Sequence, residues 1–280
     1  MKKIALICNP LPEKRQVLLL ADAIARILTK RAISYSIFTT YWPQVWDQFS
    51  EAWIVGGDGT LNYFINENPE FSLPIAIFKG GTGNDFHWAL YGNLSLENQV
   101  ENVLKGSIIK VDAGVCNGRL FINGIGIGFD GIIVQDLLGK KKRRGKSSYM
   151  LAILKNIITY REGRFHFQID KKRFSRECFM VSIANGNCYG GGFHIAPQAV
   201  LTDGLLDVVI TGKIPPLKRL FYLPVIEKGN HLQLPFIQYN TCNKIKITTD
   251  HFLPAHADGE YFSANSFVIE CLPKRFSFLR

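Results

Sequence analysis

Residues Val55–Asn62 read VGGDGTLN and follow directly on the apolar run Ala52-Trp53-Ile54. A short buried run broken by glycines marks the end of a strand. Glycines let the backbone approach a ligand closely, so that main-chain N–H groups can face an anion. A helix over 61–67 would add its positive end, with Thr60 as the expected N-cap. Loops of this size usually bring a lysine or arginine to phosphate, whereas this one carries Asp58 at its centre. A lone G-G-x-G is also an ordinary α/β turn.

Working outward, short apolar runs alternate with helical patterns through the first third of the chain. Lys3–Cys8 reads as a strand ending at Asn9-Pro10. The next segment, 13–30, places Val17, Leu20, Ala21, Ile24, Ile27 and Leu28 on one helical face. Strands are expected at 34–39, 53–55 and 74–78, and helices at 85–90 and 97–104. Such alternation predicts a parallel sheet covered on both faces. A second glycine loop, Lys79-Gly80-Gly81-Thr82-Gly83-Asn84-Asp85, follows the next strand. Ligands bind beyond the carboxyl ends of parallel strands, so the two loops and Asn9 are expected to flank one site. Neither loop matches the G-x-x-x-x-G-K-[ST] phosphate loop. Lys79 is either a positive charge near phosphate or a solvated lysine.

Beyond about Val111 the pattern changes to many strand-like runs separated by Gly, Asp or Asn turns, with one helical interlude at 147–160. This predicts an antiparallel sandwich or barrel. The expected fold is therefore an N-terminal Rossmann-like parallel α/β domain over 1–110 and a C-terminal antiparallel β-sandwich over 111–264. Six scattered cysteines without a C-x-x-C pair read as reduced thiols. The five apolar residues after Lys3 are too few for a secretory signal, and no run of 18 apolar residues occurs. A cytoplasmic location follows as the expectation, with peripheral contact at the inner membrane surface. The formal charge of +10 suits anionic partners. Lys140–Arg144 and Lys146 form either a solvated loop or a contact for anionic headgroups. No nucleic-acid motif accompanies this run.

Five segments in order resemble the diacylglycerol kinase catalytic family, which includes bacterial lipid kinases and sphingosine and ceramide kinases. They are GGDGT, GTGNDF, NGIGIGFDG (123–131), ANGNCYGGGFHIAPQAVLTDGLLDV (184–208) and ADGE (257–260). The resemblance covers nearly the whole chain, and its last segments set it apart from the more distant NAD kinases. It implies an active site in a cleft between the two domains, and a tail from about 265 to 280 returning to the first. It also implies ATP as phosphate donor, held by Asn9, Thr40 (or Thr39), Gly56, Gly57, Asp58, Gly59, Thr60, Leu61, Asn62 and Thr82. Glu260 becomes the proton acceptor, with Asp258 essential beside it. Val200, Asp203 and Leu205 become a Mg2+ site, with main-chain oxygens supplied by Val200 and Leu205.

Read without the family, these residues keep other meanings. His256, Asp258 and Glu260 alternate, so on one strand they would share a face and could ligate a metal. Asp258-Gly259 and Asp203-Gly204 both read as hairpin turns, and His194 as a structural histidine. The chain departs from the family at 9–14, NPLPEK, where glycine is missing and Glu13 is added. It departs again at Tyr63-Phe64, Lys79-Gly80 and His87-Trp88, positions that bear on nucleotide preference. The resemblance implies a lipid kinase acting on diacylglycerol or a related lipid alcohol. The alternatives are a sphingosine- or ceramide-type kinase, and a catalytically weakened nucleotide- or lipid-binding regulator. The oligomeric state, a homodimer included, stays open.

Overall fold

The computed structural model describes residues 2–9, 15–138, 146–169 and 171–280. The departure at 10–14 and the basic run 140–144 lie outside these residues. The chain folds as two compact units, Met1–Val111 with Lys274–Arg280, and Asp112–Pro273.

The first unit contains β1 (Lys3–Cys8), α1 (Arg15–Lys30), β2 (Ser34–Phe38), β3 (Glu51–Gly56), α2 (Asp58–Glu67), β4 (Ile75–Lys79), α3 (Asp85–Tyr91) and α4 (Leu96–Lys105). Its strands are parallel, in the order β2-β1-β3-β4. Next to β4 lies the end of the last strand, where Phe278 pairs with Ile75. Strands β1 and β3 are almost wholly buried, which explains why they read as unbroken apolar runs. Helix α1 turns Val17, Ala21, Ile24, Ala25 and Leu28 inward, the periodicity visible in its sequence. The chain reverses its winding direction between β1 and β3. Their carboxyl ends therefore open the crevice where such sheets bind ligands, and Asn9 and Gly56-Gly57 stand at those ends.

The second unit begins within β5 (Ile108–Cys116) and continues through β6 (Arg119–Phe121), β7 (Gly124–Gly128), α5 (Phe129–Leu137), α6 (Lys146–Asn156), β8 (Gly163–Ile169), β9 (Lys172–Ala184), β10 (Leu206–Gly212), α7 (Pro216–Glu227), β11 (Ile237–Cys242), β12 (Lys244–Ala257) and β13 (Glu260–Leu279). The pairs β5–β6, β7–β9, β7–β12, β8–β9, β8–β12, β9–β10, β10–β11 and β12–β13 are antiparallel. The long strands β9 and β12 each pair with β8 at one end and β7 at the other. The sheet thus curls in a sandwich-like manner around a core that includes Phe121, Phe165, Phe167, Phe267 and Ile269. The second unit keeps the last strand as far as Pro273 instead of releasing it near 265, because 266–270 pair with 244–248.

Among the described residues three helices cover this sheet where one was expected. Helices α5, α6 and α7 pack with Phe179, Met180, Tyr189, Phe193 and Ile195 into a second apolar cluster. Among the described residues no helix is long and apolar enough to cross a membrane.

Candidate active site

In the first unit the two glycine loops interlock backbone against backbone. A Cβ on Gly57 would lie 2.7 Å from the Gly81 Cα, and one on Gly81 would lie 2.6 Å from the Gly57 Cα. Only glycine at both positions allows this approach. Asn84, in the left-handed region at φ 59°, closes the second loop on itself. Its Oδ1 accepts from the Gly81 N–H at 2.8 Å, and its Nδ2 donates to the Gly81 carbonyl at 3.0 Å. Asn9, at the end of β1, donates from Nδ2 to the Thr60 Oγ1 at 3.0 Å.

Helix α2 starts at Asp58 with Gly57 as its N-cap, so Thr60 is inside the helix and does not cap it. Asp58 therefore stands in a first helical turn, where a negative charge is favoured. Its carboxylate reaches across to the other loop and accepts the Asp85 and Phe86 N–H groups, each at 3.0 Å. The aspartate that looked out of place is the side chain that caps α3. Burial pushes its carboxyl above the usual range, against the pull of these amide bonds. The N–H donors thus leave part of its charge unbalanced, and a nearby cation would offset the remainder.

The other expected contacts divide by exposure. Gly59 and Thr82 are open to solvent in the two loops. Thr39 and Thr40 are exposed in the bend after β2, one strand removed from β3. Leu61 and Asn62 are buried, and Asn62 accepts from Asn66, so their side chains do not line an open crevice. Lys79 lies over the Trp88 ring, 5.1 Å from its centroid.

In the second unit Asp258-Gly259 is a two-residue turn with φ 48° and 85°, closing the pair Ala257–Glu260. Positive φ at both positions is the type I′ geometry, for which Asp-Gly is a preferred sequence. The Asp258 carboxylate accepts three backbone N–H groups, from Ile122 at 2.7 Å and from Asn123 and Gly124 at 2.9 Å. Its own N–H donates to the Gly124 carbonyl at 2.9 Å. Asp258 therefore clamps the turn to the loop before β7, and Glu260 projects from it exposed to solvent. The alternation that suggested a shared metal face for His256, Asp258 and Glu260 is interrupted by the turn. Among the described residues no group of three His, Cys, Asp or Glu side chains could hold a metal.

His256 points inward. Its Nδ1 accepts the Gly259 N–H at 3.2 Å, and its Nε2 lies 3.0 Å from the Asp130 Oδ2. The Tyr149 hydroxyl donates to the Asp130 Oδ1 at 2.6 Å. Sequence reasoning passed over Asp130 and Tyr149. The only signal was the glycine spacing around Asp130: Gly126-x-Gly128-x-x-Gly131 repeats a dinucleotide-binding spacing at a strand-to-helix junction. Here the strand is antiparallel, and the glycines admit protein atoms. A Cβ on Gly126 would meet the Asp130 Oδ2 at 2.3 Å, and one on Gly131 the Pro254 backbone at 2.2 Å.

Around 200–207 the Asp203 Oδ1 accepts the Leu205 N–H at 3.0 Å, and the Asp112 Oδ2 accepts the Gly204 N–H at 2.7 Å. Burial raises the Asp207 carboxyl, the Tyr239 hydroxyl opposes this, and the Asp203 charge adds to the rise. Of these carboxylates only Asp203 lies on the loop itself; Asp112 belongs to β5 and Asp207 to β10.

Glycine loops thus mark the switch point of a parallel sheet in one unit, and a clamped turn presents an exposed carboxylate in the other. Residues 3–116 match the diacylglycerol kinase catalytic domain, and residues 123–280 match the YegS C-terminal NAD kinase beta sandwich-like domain. The chain belongs to this family of lipid kinases and is a phosphotransferase. It is 28% identical over 210 residues to the diacylglycerol kinase of Bacillus subtilis (strain 168), covering 74% of this chain and 69% of that one. With a probable lipid kinase YegS-like protein of Shewanella frigidimarina (strain NCIMB 400) it shares 26% over 239 residues, 83% and 77% of the two chains. A solved structure of a putative diacylglycerol kinase from Bacillus anthracis str. Sterne superposes with a TM-score of 0.80 at 22% identity. It covers 99% of this chain and 97% of that one, a likeness of fold.

Proposed function

We propose that this lipid kinase transfers the γ-phosphate of ATP to the hydroxyl of diacylglycerol or a closely related lipid alcohol. The observation that carries the proposal is the interlocked pair of glycine loops at the sheet's switch point, tied together by Asp58. Backbone N–H groups of Gly57–Gly59 and Thr82 would face the phosphates, which makes a lysine in the loop unnecessary. Glu260, exposed on its clamped turn, would take the proton of the acceptor hydroxyl. As it does so the hydroxyl oxygen bonds to the γ-phosphorus, the bond to the bridging oxygen breaks and ADP leaves. Asp258 has a different part: it holds the turn through three amides.

Bound Mg2+ would neutralise phosphate charge during transfer. Asp203, with main-chain oxygens of Val200 and Leu205, is the proposed holder of a structural ion. The acceptor hydroxyl resides at a bilayer surface, so the enzyme must reach one. The outer face of α6 offers Leu151 and Leu154, the turn after it Ile158, and α7 offers Leu217 and Phe221, all exposed, with Leu151 at 71% and Phe221 at 78%. These large apolar side chains are the proposed bilayer contact. Diacylglycerol is preferred over sphingosine or ceramide because the Bacillus subtilis relative carries that name.

The test is transfer from γ-labelled ATP with Mg2+ to phosphatidylglycerol vesicles containing dioleoylglycerol, sphingosine or ceramide. Label is expected in the diacylglycerol sample. If no lipid alcohol takes up label while nucleotide still binds, the proposal fails and the weakened-regulator reading stands.

A further inference from the structure

We infer that His256 and Asp130 form a positioning pair that sets the turn carrying Glu260, an inference that rests on the lipid-kinase reading of that turn. The Gly259 N–H points at the His256 Nδ1, 3.2 Å away. An accepting Nδ1 carries no proton, so the ring proton sits on Nε2, which faces the Asp130 Oδ2 at 3.0 Å. Asp130 in turn lies in the first turn of α5 and receives the Tyr149 hydroxyl from α6. The Tyr189 ring packs edge-on against the imidazole, with centroids 5.5 Å apart. Gly126 on β7 leaves the space the pair occupies. Elements from four parts of the unit thus converge on one imidazole, whose remaining nitrogen holds the residue next to Glu260.

The pair is not there for stability alone. His256 and Asp130 side chains are 4% and 6% exposed. Replacing a buried ion pair by well-packed apolar residues is often neutral or stabilising; what distinguishes this pair is where its contacts lead, to the turn before Glu260. Burial by itself would raise the Asp130 carboxyl; the His256 ring and the hydroxyls of Tyr149 and Tyr189 outweigh it and hold the group below its usual range. The Asp130 charge, 3.0 Å from Nε2 though outside hydrogen-bond geometry, favours a ring that carries its proton on that side and leaves Nδ1 open to Gly259. Without this link the turn retains its Asp258 clamp on one side only. Glu260 then samples positions away from the reacting hydroxyl, and a misplacement of about 1 Å can lower a rate roughly 100-fold.

The experiment compares His256→Ala, His256→Asn, His256→Gln and Asp130→Asn in the full-length chain. Asparagine places an acceptor where Nδ1 stood, while glutamine keeps a donor towards Asp130 and offers none to Gly259. Amide hydrogen exchange at Gly259 should accelerate about tenfold or more in the alanine and glutamine variants and stay near wild type in the asparagine variant. With γ-labelled ATP and dioleoylglycerol vesicles, kcat should fall roughly 10- to 100-fold in the first two, with KM for ATP within about twofold. Asparagine should recover most of kcat, and Asp130→Asn should fall between. Equal losses in all three His256 variants with unchanged exchange at Gly259 would overturn the inference and leave a packing role only. If His256→Ala fails to fold, the asparagine–glutamine contrast still decides. If the wild-type chain phosphorylates no lipid, the kinase reading fails, whereas the exchange data still judge the link from His256 to the turn.

Discussion

Replacing Asp58 with alanine should destabilise the first unit as well as impair transfer, because this carboxylate joins the two glycine loops. It accepts the Asp85 and Phe86 N–H groups at 3.0 Å each, and both are first-turn donors of α3 without an intrahelical partner. Leaving a buried donor unsatisfied costs about 1–3 kcal/mol, but Asp58 is half-buried and water can reach part of the gap. Burial also disfavours the charge, as the raised carboxyl shows, so its removal returns some of that loss. The balance is a net destabilisation of roughly 1–2 kcal/mol, in line with the loss of a helix cap. For a unit of this size that corresponds to about 4–8 °C in melting temperature. All four tryptophans, Trp42, Trp46, Trp53 and Trp88, lie in the first unit, so intrinsic fluorescence reads its melting selectively. Asp58→Asn, which keeps one acceptor oxygen, should melt in between. An Asp58→Ala protein that melts within 1 °C of wild type yet no longer binds nucleotide would refute the capping role and make Asp58 purely a ligand-side group.

Three further outcomes follow from the same geometry. Asp258→Ala strands three amides and should cost about 2–4 kcal/mol, read as a lower urea midpoint by far-ultraviolet circular dichroism; an unchanged midpoint would deny the clamp. Gly57→Ala forces a Cβ to 2.7 Å from the Gly81 Cα and should part the loops; nucleotide affinity at wild-type level would show that the interlock is dispensable. Burial holds His87 and His231 below the ordinary histidine range. Below about pH 6.5 the unfolded chain therefore binds protons that the fold does not, and stability should fall on acidification by up to ~1.4 kcal/mol per pH unit for each histidine. Tryptophan-detected urea midpoints at pH 7.5 and 5.5 test this for His87, and equal midpoints would contradict it.

The parallel unit was legible because its strands are buried on both faces and its helices are amphipathic, so period and punctuation agree. In the second unit α5 and α7 escaped for opposite reasons. Helix α5 follows a run of glycines and contains Gly131, so no helical pattern stood out there. Helix α7 has Pro215 as its N-cap and Pro216 as its first residue and holds Pro224 inside, a residue that normally breaks a helix. Strand β11, IQYNTC, lacks an apolar face. At the candidate site the glycine loops and the ADGE turn stood out as local patterns. The role of Asp58 did not, because its partners are backbone amides on the far side of a strand–helix–strand step. The Asp130–His256 pair joins α5 to β12 across the sheet, a contact with no local spacing to announce it.

Glu260 is the proposed proton acceptor, and its exposed position contributes little to the fold. Single-turnover transfer from γ-labelled ATP to dioleoylglycerol vesicles, measured for wild type and Glu260→Gln, tests that most directly. The expected result is a rate roughly 10²–10⁴-fold lower in the variant, with melting temperature and ATP affinity unchanged. A Glu260→Gln protein that transfers phosphate within about threefold of wild type would contradict the account.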